Sequence, residues 1–132
     1  MTSPKILFPF FLVVTVLLLV GVLVTGLTGR VRPHLTLVAL TVTALGLTIF
    51  FAEQLGELYD LQSAGWITPV HLTIAKLATV SYLLPLTTGL MTLRNRSYKR
   101  YHFRAAMLVL GLTVSAACTG VWMLLAATPL PA

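Results

Sequence analysis

Charged residues are scarce in this sequence. Only 9% of its 132 residues are charged and 58% are hydrophobic, whereas a soluble domain carries roughly 25% charged residues. So few ionic groups cannot cover a protein surface in water, which predicts that a lipid bilayer is the solvent. The length predicts a single membrane domain over residues 1–132.

Cysteines and catalytic motifs are also scarce. Cys118 is the only cysteine, so the chain cannot close a disulfide on itself, and its apolar surroundings predict a small buried side chain. There is no nucleophile placed with a base, no phosphate-binding loop and no CxxC or CxxCH motif. The sequence therefore offers no catalytic motif, and whether the protein is an enzyme stays open. The net charge of +6 comes without a nucleic-acid motif, so no nucleic-acid partner is predicted.

Long apolar runs dominate what remains. They predict four spans, at about residues 6–28, 34–55, 66–93 and 103–127, because about 20 apolar residues cross a hydrocarbon core of roughly 30 Å. Lipid offers backbone groups no partners, so the spans should be helical. The fold class predicted is all-α: a polytopic membrane protein with four transmembrane helices in an antiparallel bundle. The first run is too long for a signal peptide and no A-x-A site follows it, so we expect it to be retained.

The charges alternate in sign between successive loops. Arg30 and Arg32 lie in the first loop. In or beside the third loop lie five cations: Arg94, Arg96, Lys99, Arg100 and Arg104. The three acids, Glu53, Glu57 and Asp60, lie at or beyond the end of the second span. The positive-inside rule makes the basic loops cytoplasmic and places both termini outside an inner (cytoplasmic) membrane. Anionic lipid headgroups are expected neighbours of the basic loops.

The two basic hairpins resemble each other. The first reads TGLTGRVRPHLTLVAL and the second TTGLMTLRNRSYKRYHFRAAM. Each ends a span with Thr-Gly-Leu, crosses on a basic loop and opens the next span with a histidine. A paired-hairpin repeat would place His34 and His102 at equivalent positions and at one depth.

Two interpretations of His34 and His102 stay open. An imidazole is amphipathic and suits the headgroup level without any ligand. Alternatively, two neutral imidazoles from facing helices could ligate the iron of a b-type haem. Arg32, Arg100 and Arg104 would then pair with haem propionates, or otherwise with lipid phosphates.

Room for a macrocycle depends on small side chains below the histidines. On the fourth span the face at helical spacing is small: Ala106, Val109, Thr113, Ala117 and Gly120. On the second span it is less open: Val38, Thr41, Leu45, Thr48 and Ala52. Small faces also serve the ordinary close packing of membrane helices.

His71 lies near the outer end of the third span, roughly 20 Å along the membrane normal from the other two histidines. One site with three histidines is therefore excluded. Lys76, inside the same span, should pair or face a cavity, and a structural ion pair with Glu53 is the first interpretation. The second is a proton-relay, quinone or weak metal site formed by His71, Glu53 and Glu57.

The order of these elements resembles a known family. PVHLTIA, LPLTTGLMTLR, a His-led helix and a terminal TG-x-x-M are similar to small four-helix membrane proteins, a domain of unknown function associated with cytochrome oxidase assembly. The resemblance covers about residues 30–125 and implies His34, His71 and His102 as the family's histidines. AEQLGE stands where a further histidine of that family is expected, which argues against metal delivery on the outer side.

A weaker similarity is to cytochromes of the b561 type, which share His-led helices with basic loops. They carry a second histidine pair, and His71 lacks a counterpart, so at most one bis-histidine haem fits. The resemblances imply an integral membrane protein of respiratory electron transfer. It would assist assembly of a terminal oxidase or be its accessory subunit, with other membrane subunits as partners. A stand-alone b-type cytochrome, a purely structural subunit and a homo-oligomer stay open as alternatives.

Overall fold

The computed structural model describes residues 3–131. Over these residues the chain forms five α-helices: α1 (Pro4–Leu27), α2 (Val31–Gly56), α3 (Ile67–Ser81), α4 (Leu83–Arg94) and α5 (Lys99–Ala126). Two 3₁₀ turns, Leu61–Ala64 and Arg96–Tyr98, and two short strands, β1 (Tyr59–Asp60) and β2 (Thr128–Pro129), complete the described chain. The strands pair with each other as a two-stranded sheet.

Four segments within residues 3–131 are long and apolar enough to cross a membrane. They are Pro4–Leu27, Val31–Gly56, Ile67–Arg94 and Arg96–Ala126. The prediction of an all-α chain with four candidate spans is thus confirmed by helix length and composition. Two compact units divide the chain, Met1–Tyr59 and Asp60–Ala132, and the expectation of one domain stays a prediction.

Two helices begin three or more residues before the apolar runs. α2 starts at Val31, three residues before the predicted span, and α5 starts at Lys99, four residues before it. The extra turns carry Arg32, Arg100 and other polar residues. Long cationic side chains can extend their charged ends toward water while the backbone stays helical, so a charge marks the membrane interface more closely than it marks a helix end.

The first unit is a hairpin of α1 and α2. Gly29, in the turn between them, has φ of +70°, a left-handed conformation that glycine adopts without steric cost at a helix C-terminus. Deep in the hairpin, Thr15 donates to the Thr48 hydroxyl at 2.9 Å, because the Thr48 hydrogen is used on the carbonyl of Ala44 at 2.8 Å. Nearer the helix ends, Phe11 stacks on Phe51.

The second unit packs α3 and α4 along the longer α5. Tyr82 donates its phenolic hydrogen to the Thr113 hydroxyl at 2.8 Å, since Thr113 itself donates to the Val109 carbonyl at 2.7 Å. Trp66 and Trp122 meet edge to face, with ring centroids 5.2 Å apart. These contacts give α5 neighbours along most of its length.

The third span is interrupted at Tyr82, three residues before Pro85. Proline has no backbone N–H and its ring clashes with the carbonyl four residues earlier, here that of Ser81. The backbone N–H of Tyr82 turns to the carbonyl of Thr79, a tighter 3₁₀-type bond of 3.3 Å. The helical hydrogen bonding is therefore interrupted for one residue between α3 and α4, within a segment that is still one candidate span.

Large apolar side chains are exposed along the candidate spans, as lipid-facing helices require. Leu17 is 66% exposed, Val80 68% and Leu125 82%. Cys118 is also exposed, so the prediction that it is a small buried residue is wrong. The reason is helical geometry: α5 packs through its Thr113 and Gly120 face, and Cys118 is turned away from that face.

Candidate functional site: three histidine contacts

His34, in the first turn of α2, lies against the end of α1. Its Nδ1 is 3.0 Å from the carbonyl oxygen of Val22 and 3.3 Å from the hydroxyl of Thr25. A β-carbon added to Gly26 would stand only 3.2 Å from the imidazole Cε1. The ring is thus held by a Thr-Gly dipeptide of the facing helix.

His102 repeats this arrangement in the second unit. Near the start of α5, its Nδ1 lies 3.4 Å from the hydroxyl of Thr88 on α4. A β-carbon on Gly89 would come within 3.1 Å of the His102 Cε1. The partner is again a Thr-Gly dipeptide, which supports the hairpin repeat seen in the sequence.

His71 makes the same contact at the other end of α5. Its Nδ1 is 3.1 Å from the hydroxyl of Thr119, and a β-carbon on Gly120 would stand 2.8 Å from its Cε1. Thr119 lies 17 residues after His102, which is roughly 25 Å of helix at 1.5 Å per residue. Within the second unit, His71 and His102 are therefore far apart, as expected from the sequence.

The threonines fix which ring nitrogen carries the proton. A hydroxyl has one hydrogen, and each of these threonines donates it to a carbonyl in its own helix: Thr25 to Gly21 at 2.7 Å, Thr88 to Leu84 at 2.6 Å and Thr119 to Ser115 at 2.8 Å. The hydroxyls can then only accept from the histidines. This network assigns the proton to Nδ1 in all three rings and, in the neutral ring, the lone pair to Nε2.

The small face of α5 is used for packing inside the second unit. Val109 is 3% exposed, Thr113 accepts from Tyr82, and Gly120 lies against His71. On α2, Thr41 and Thr48 are buried as well. Of the two interpretations of these faces, helix packing is the one that the contacts within each unit show.

The other predicted site residues are on helix surfaces. The side chains of Arg32, Arg100, Arg104, Glu53, Glu57 and Lys76 are exposed. Glu53 and Glu57 belong to the first unit, and Lys76 and His71 to the second. The Glu53–Lys76 ion pair, the propionate role of the arginines and the weak metal site stay predictions. Over residues 3–131, no group of three or more His, Cys, Asp and Glu side chains is placed to hold a metal ion.

Sequence reasoning found the histidines and missed their partners. Three dipeptides are visible in the sequence: Thr25-Gly26, Thr88-Gly89 and Thr119-Gly120. The first two belong to the Thr-Gly-Leu endings of predicted spans. A threonine followed by glycine combines an acceptor with an open surface where a ring can lie. The sequence has three histidines and three such dipeptides on neighbouring antiparallel helices. That match could have predicted that each ring contacts one dipeptide.

Fold and contacts together define a class: an all-α protein with several candidate membrane-spanning helices, in which part-buried histidine–threonine contacts hold neighbouring helices together within each unit. No family model, curated protein or solved structure matches the chain.

Proposed function

We propose that this chain is an integral membrane protein of respiratory electron transfer that binds one b-type haem through His34 and His102. Its role would be in the assembly of a terminal oxidase or as an accessory subunit of one. The role in respiration rests on the sequence resemblance. The observation that carries the haem proposal is the shared tautomer of the two histidines.

The donor set fits a haem iron. Axial ligation needs neutral imidazoles, and metal-binding histidines donate their other ring N–H to a carbonyl or similar acceptor, which fixes ring orientation and raises basicity. His34 has two such acceptors, the Val22 carbonyl and the Thr25 hydroxyl. His102 has the Thr88 hydroxyl. In its neutral form each ring would therefore have the tautomer of a ligand, with Nε2 as the donor atom to iron.

The arginines supply the charge that propionates need. Arg32 precedes His34 by two residues, and Arg100 and Arg104 flank His102. All three are exposed, and a guanidinium binds a carboxylate through two parallel hydrogen bonds. A bound haem would supply one-electron transfer at the cytoplasmic level, while the protein residues hold it and balance its charge.

Absorption spectra of the purified full-length protein and three single variants test the proposal. We expect a reduced b-type spectrum in the wild type, its loss in His34→Ala and in His102→Ala, and its retention in His71→Ala. The last variant is the matched control, because His71 makes the same threonine contact. Loss of haem in His71→Ala alone would move the site to the other end of α5, and a colourless wild type reconstituted with haem would end the haem proposal.

Removal of single threonine hydroxyls sharpens the test. Loss of a group that orients a metal-binding histidine lowers affinity by about 10- to 100-fold. Thr88→Val removes one acceptor from His102, and Thr25→Val removes one from His34. We expect haem affinity to fall in both variants. Thr119→Val, the control, should leave the spectrum unchanged.

A purely structural subunit is the second candidate. The observation that favours it is His71, which makes the same contact without an equivalent histidine to share a haem. In that case His34→Ala, His71→Ala and His102→Ala should lower the stability of the folded protein by comparable amounts, and no variant should change a spectrum. A stand-alone b-type cytochrome differs from both, since it would show the spectrum and would not copurify with oxidase subunits.

A further inference from the structure

We infer that the loop joining α4 and α5 binds the phosphate of an anionic phospholipid through Arg94, Arg96 and Lys99. We refer to these three residues as the basic turn. They are separate from Arg100 and Arg104, the arginines assigned to haem propionates, so this inference goes beyond the proposed function and does not depend on it.

The basic turn is held in one shape by its own hydrogen bonds. The Asn95 side chain accepts from the backbone N–H of Ser97 at 3.0 Å. The N–H of Asn95 is bonded to the carbonyl of Met91 at 2.8 Å, and the N–H of Tyr98 to the carbonyl of Asn95 at 3.2 Å. Arg96 therefore extends from a 3₁₀ turn that these bonds hold, and the exposed Arg94 and Lys99 are the adjoining end residues of α4 and α5, so that little ordering of the backbone is needed for all three to bind one phosphate.

Within residues 60–131, the described part of the second unit, no carboxylate lies near these cations. Its one acidic residue is Asp60, whose Oδ1 accepts from the Gln62 N–H at 3.1 Å. Between Asp60 and the basic turn lie the helices α3 and α4, roughly 40 Å of helix at 1.5 Å per residue. The charge of the basic turn is thus not neutralised within its own unit.

The position of Lys99 and Arg100 adds to this imbalance. They are the first two residues of α5, and the first turn of that helix has no acidic residue. The N-terminus of a helix carries partial positive charge and favours anions, so cations there are unfavourable. An external anion beside the basic turn would remove this repulsion.

A lipid phosphate fits this surface better than a free phosphate or a nucleic acid. Exposed apolar side chains flank the basic turn, Leu93 at 53% and Phe103 at 49% exposure. Tyr98 and Tyr101 lie beside it with ring centroids 6.3 Å apart, and amphipathic aromatic rings are typical of the headgroup level. Only a lipid offers a phosphate and acyl chains together, and arginine binds phosphate through paired N–H groups.

The test uses the full-length protein reconstituted in phosphatidylcholine vesicles. The motionally restricted fraction of spin-labelled phosphatidylglycerol, compared with that of spin-labelled phosphatidylcholine, measures preference for the anionic headgroup. We expect the wild type to prefer phosphatidylglycerol and Arg96→Gln/Lys99→Gln to lose most of that preference, about fivefold for each cation near the surface. Arg94→Gln, a single change in the last turn of α4, should lose about fivefold and serves if the double variant does not fold.

A control with equal charge loss makes the result specific. Lys5→Gln/Arg30→Gln removes two exposed cations from the first unit and should keep the preference of the wild type. An equal fall in both double variants would show a general charge effect and overturn the site. Unchanged preference in Arg96→Gln/Lys99→Gln would also overturn the site. So would displacement of the labelled lipid by inorganic phosphate at constant ionic strength. The haem spectrum should be identical in the wild type and in both double variants.

Discussion

The two units build one contact on two different loops. In the first, His34 reaches Thr25 nine residues back across a short turn. In the second, His102 reaches Thr88 fourteen residues back, across a loop that holds a 3₁₀ turn and the basic turn. The extra residues change the charge of the loop and leave the ring contact nearly the same. The contact therefore depends on a threonine and a glycine facing the histidine across the hairpin, and loop length can vary.

The units also differ in how their helices are held together. The first has two unbroken helices, whereas the second breaks its leading span at Tyr82 and fastens α5 at both ends, to Thr88 through His102 and to His71 through Thr119. Each unit has a hydroxyl pair between two of its helices, Thr15–Thr48 in the first and Tyr82–Thr113 in the second. In lipid, such polar contacts between helices replace the hydrophobic driving force that is lost.

The largest expected effect is a difference in thiol labelling between the two ends of the second unit. Cysteines replacing Gln62 and Ser97, each in a Cys118→Ser background, would report on the side of the membrane. The positive-inside rule predicts that an impermeant thiol reagent labels Gln62→Cys from outside and Ser97→Cys only after permeabilisation. The opposite pattern would show that the topology is inverted and the basic turn faces outward.

Replacing each of the three glycines by alanine should rank the histidine contacts by the loss in free energy of unfolding. The space for a β-carbon falls from Gly26 to Gly89 to Gly120, the last only 2.8 Å from the ring of His71. Overpacking costs about 1–3 kcal/mol, so Gly120→Ala should lower the free energy of unfolding most and Gly26→Ala least. Gly111→Ala, where nothing lies within 4 Å, is the matched control and should stabilise by up to about 1 kcal/mol. Equal losses at all three glycines would contradict this ranking.

Removal of the hydroxyl pairs should have the smallest effect on the free energy of unfolding. Interhelical hydrogen bonds in membrane proteins average about 0.6 kcal/mol and reach about 1.7 kcal/mol. We expect Thr48→Val to cost more than Tyr82→Phe, because Thr15 is 2% exposed and its hydroxyl would lose its partner in a dry interior, whereas Tyr82 is only partly buried. Reversible unfolding in mixed micelles measures both. A greater loss in Tyr82→Phe would show that the break in the third span depends on its phenol.

The four candidate spans and the helical class were determined by the sequence alone, and Pro85 accounts locally for the interruption at Tyr82. Apolar runs of this length have one stable backbone in lipid, since an α-helix satisfies its own N–H and C=O groups. A proline inside such a run removes one of those bonds wherever it stands. These are local constraints, so they can be read without knowing which helix lies beside which.

What the histidines touch was decided by tertiary structure. The sequence placed His34, His71 and His102 near the ends of spans and left interfacial, ligand and weak metal interpretations open. Only the packing of α1 on α2, and of α3 and α4 on α5, brings each ring onto a Thr-Gly dipeptide and assigns its proton to Nδ1. The same packing turns Cys118 outward and closes the small face of α5. Such outcomes depend on how each helix is rotated about its own axis. A few interhelical contacts determine that rotation, and an almost uniformly apolar sequence does not predict it.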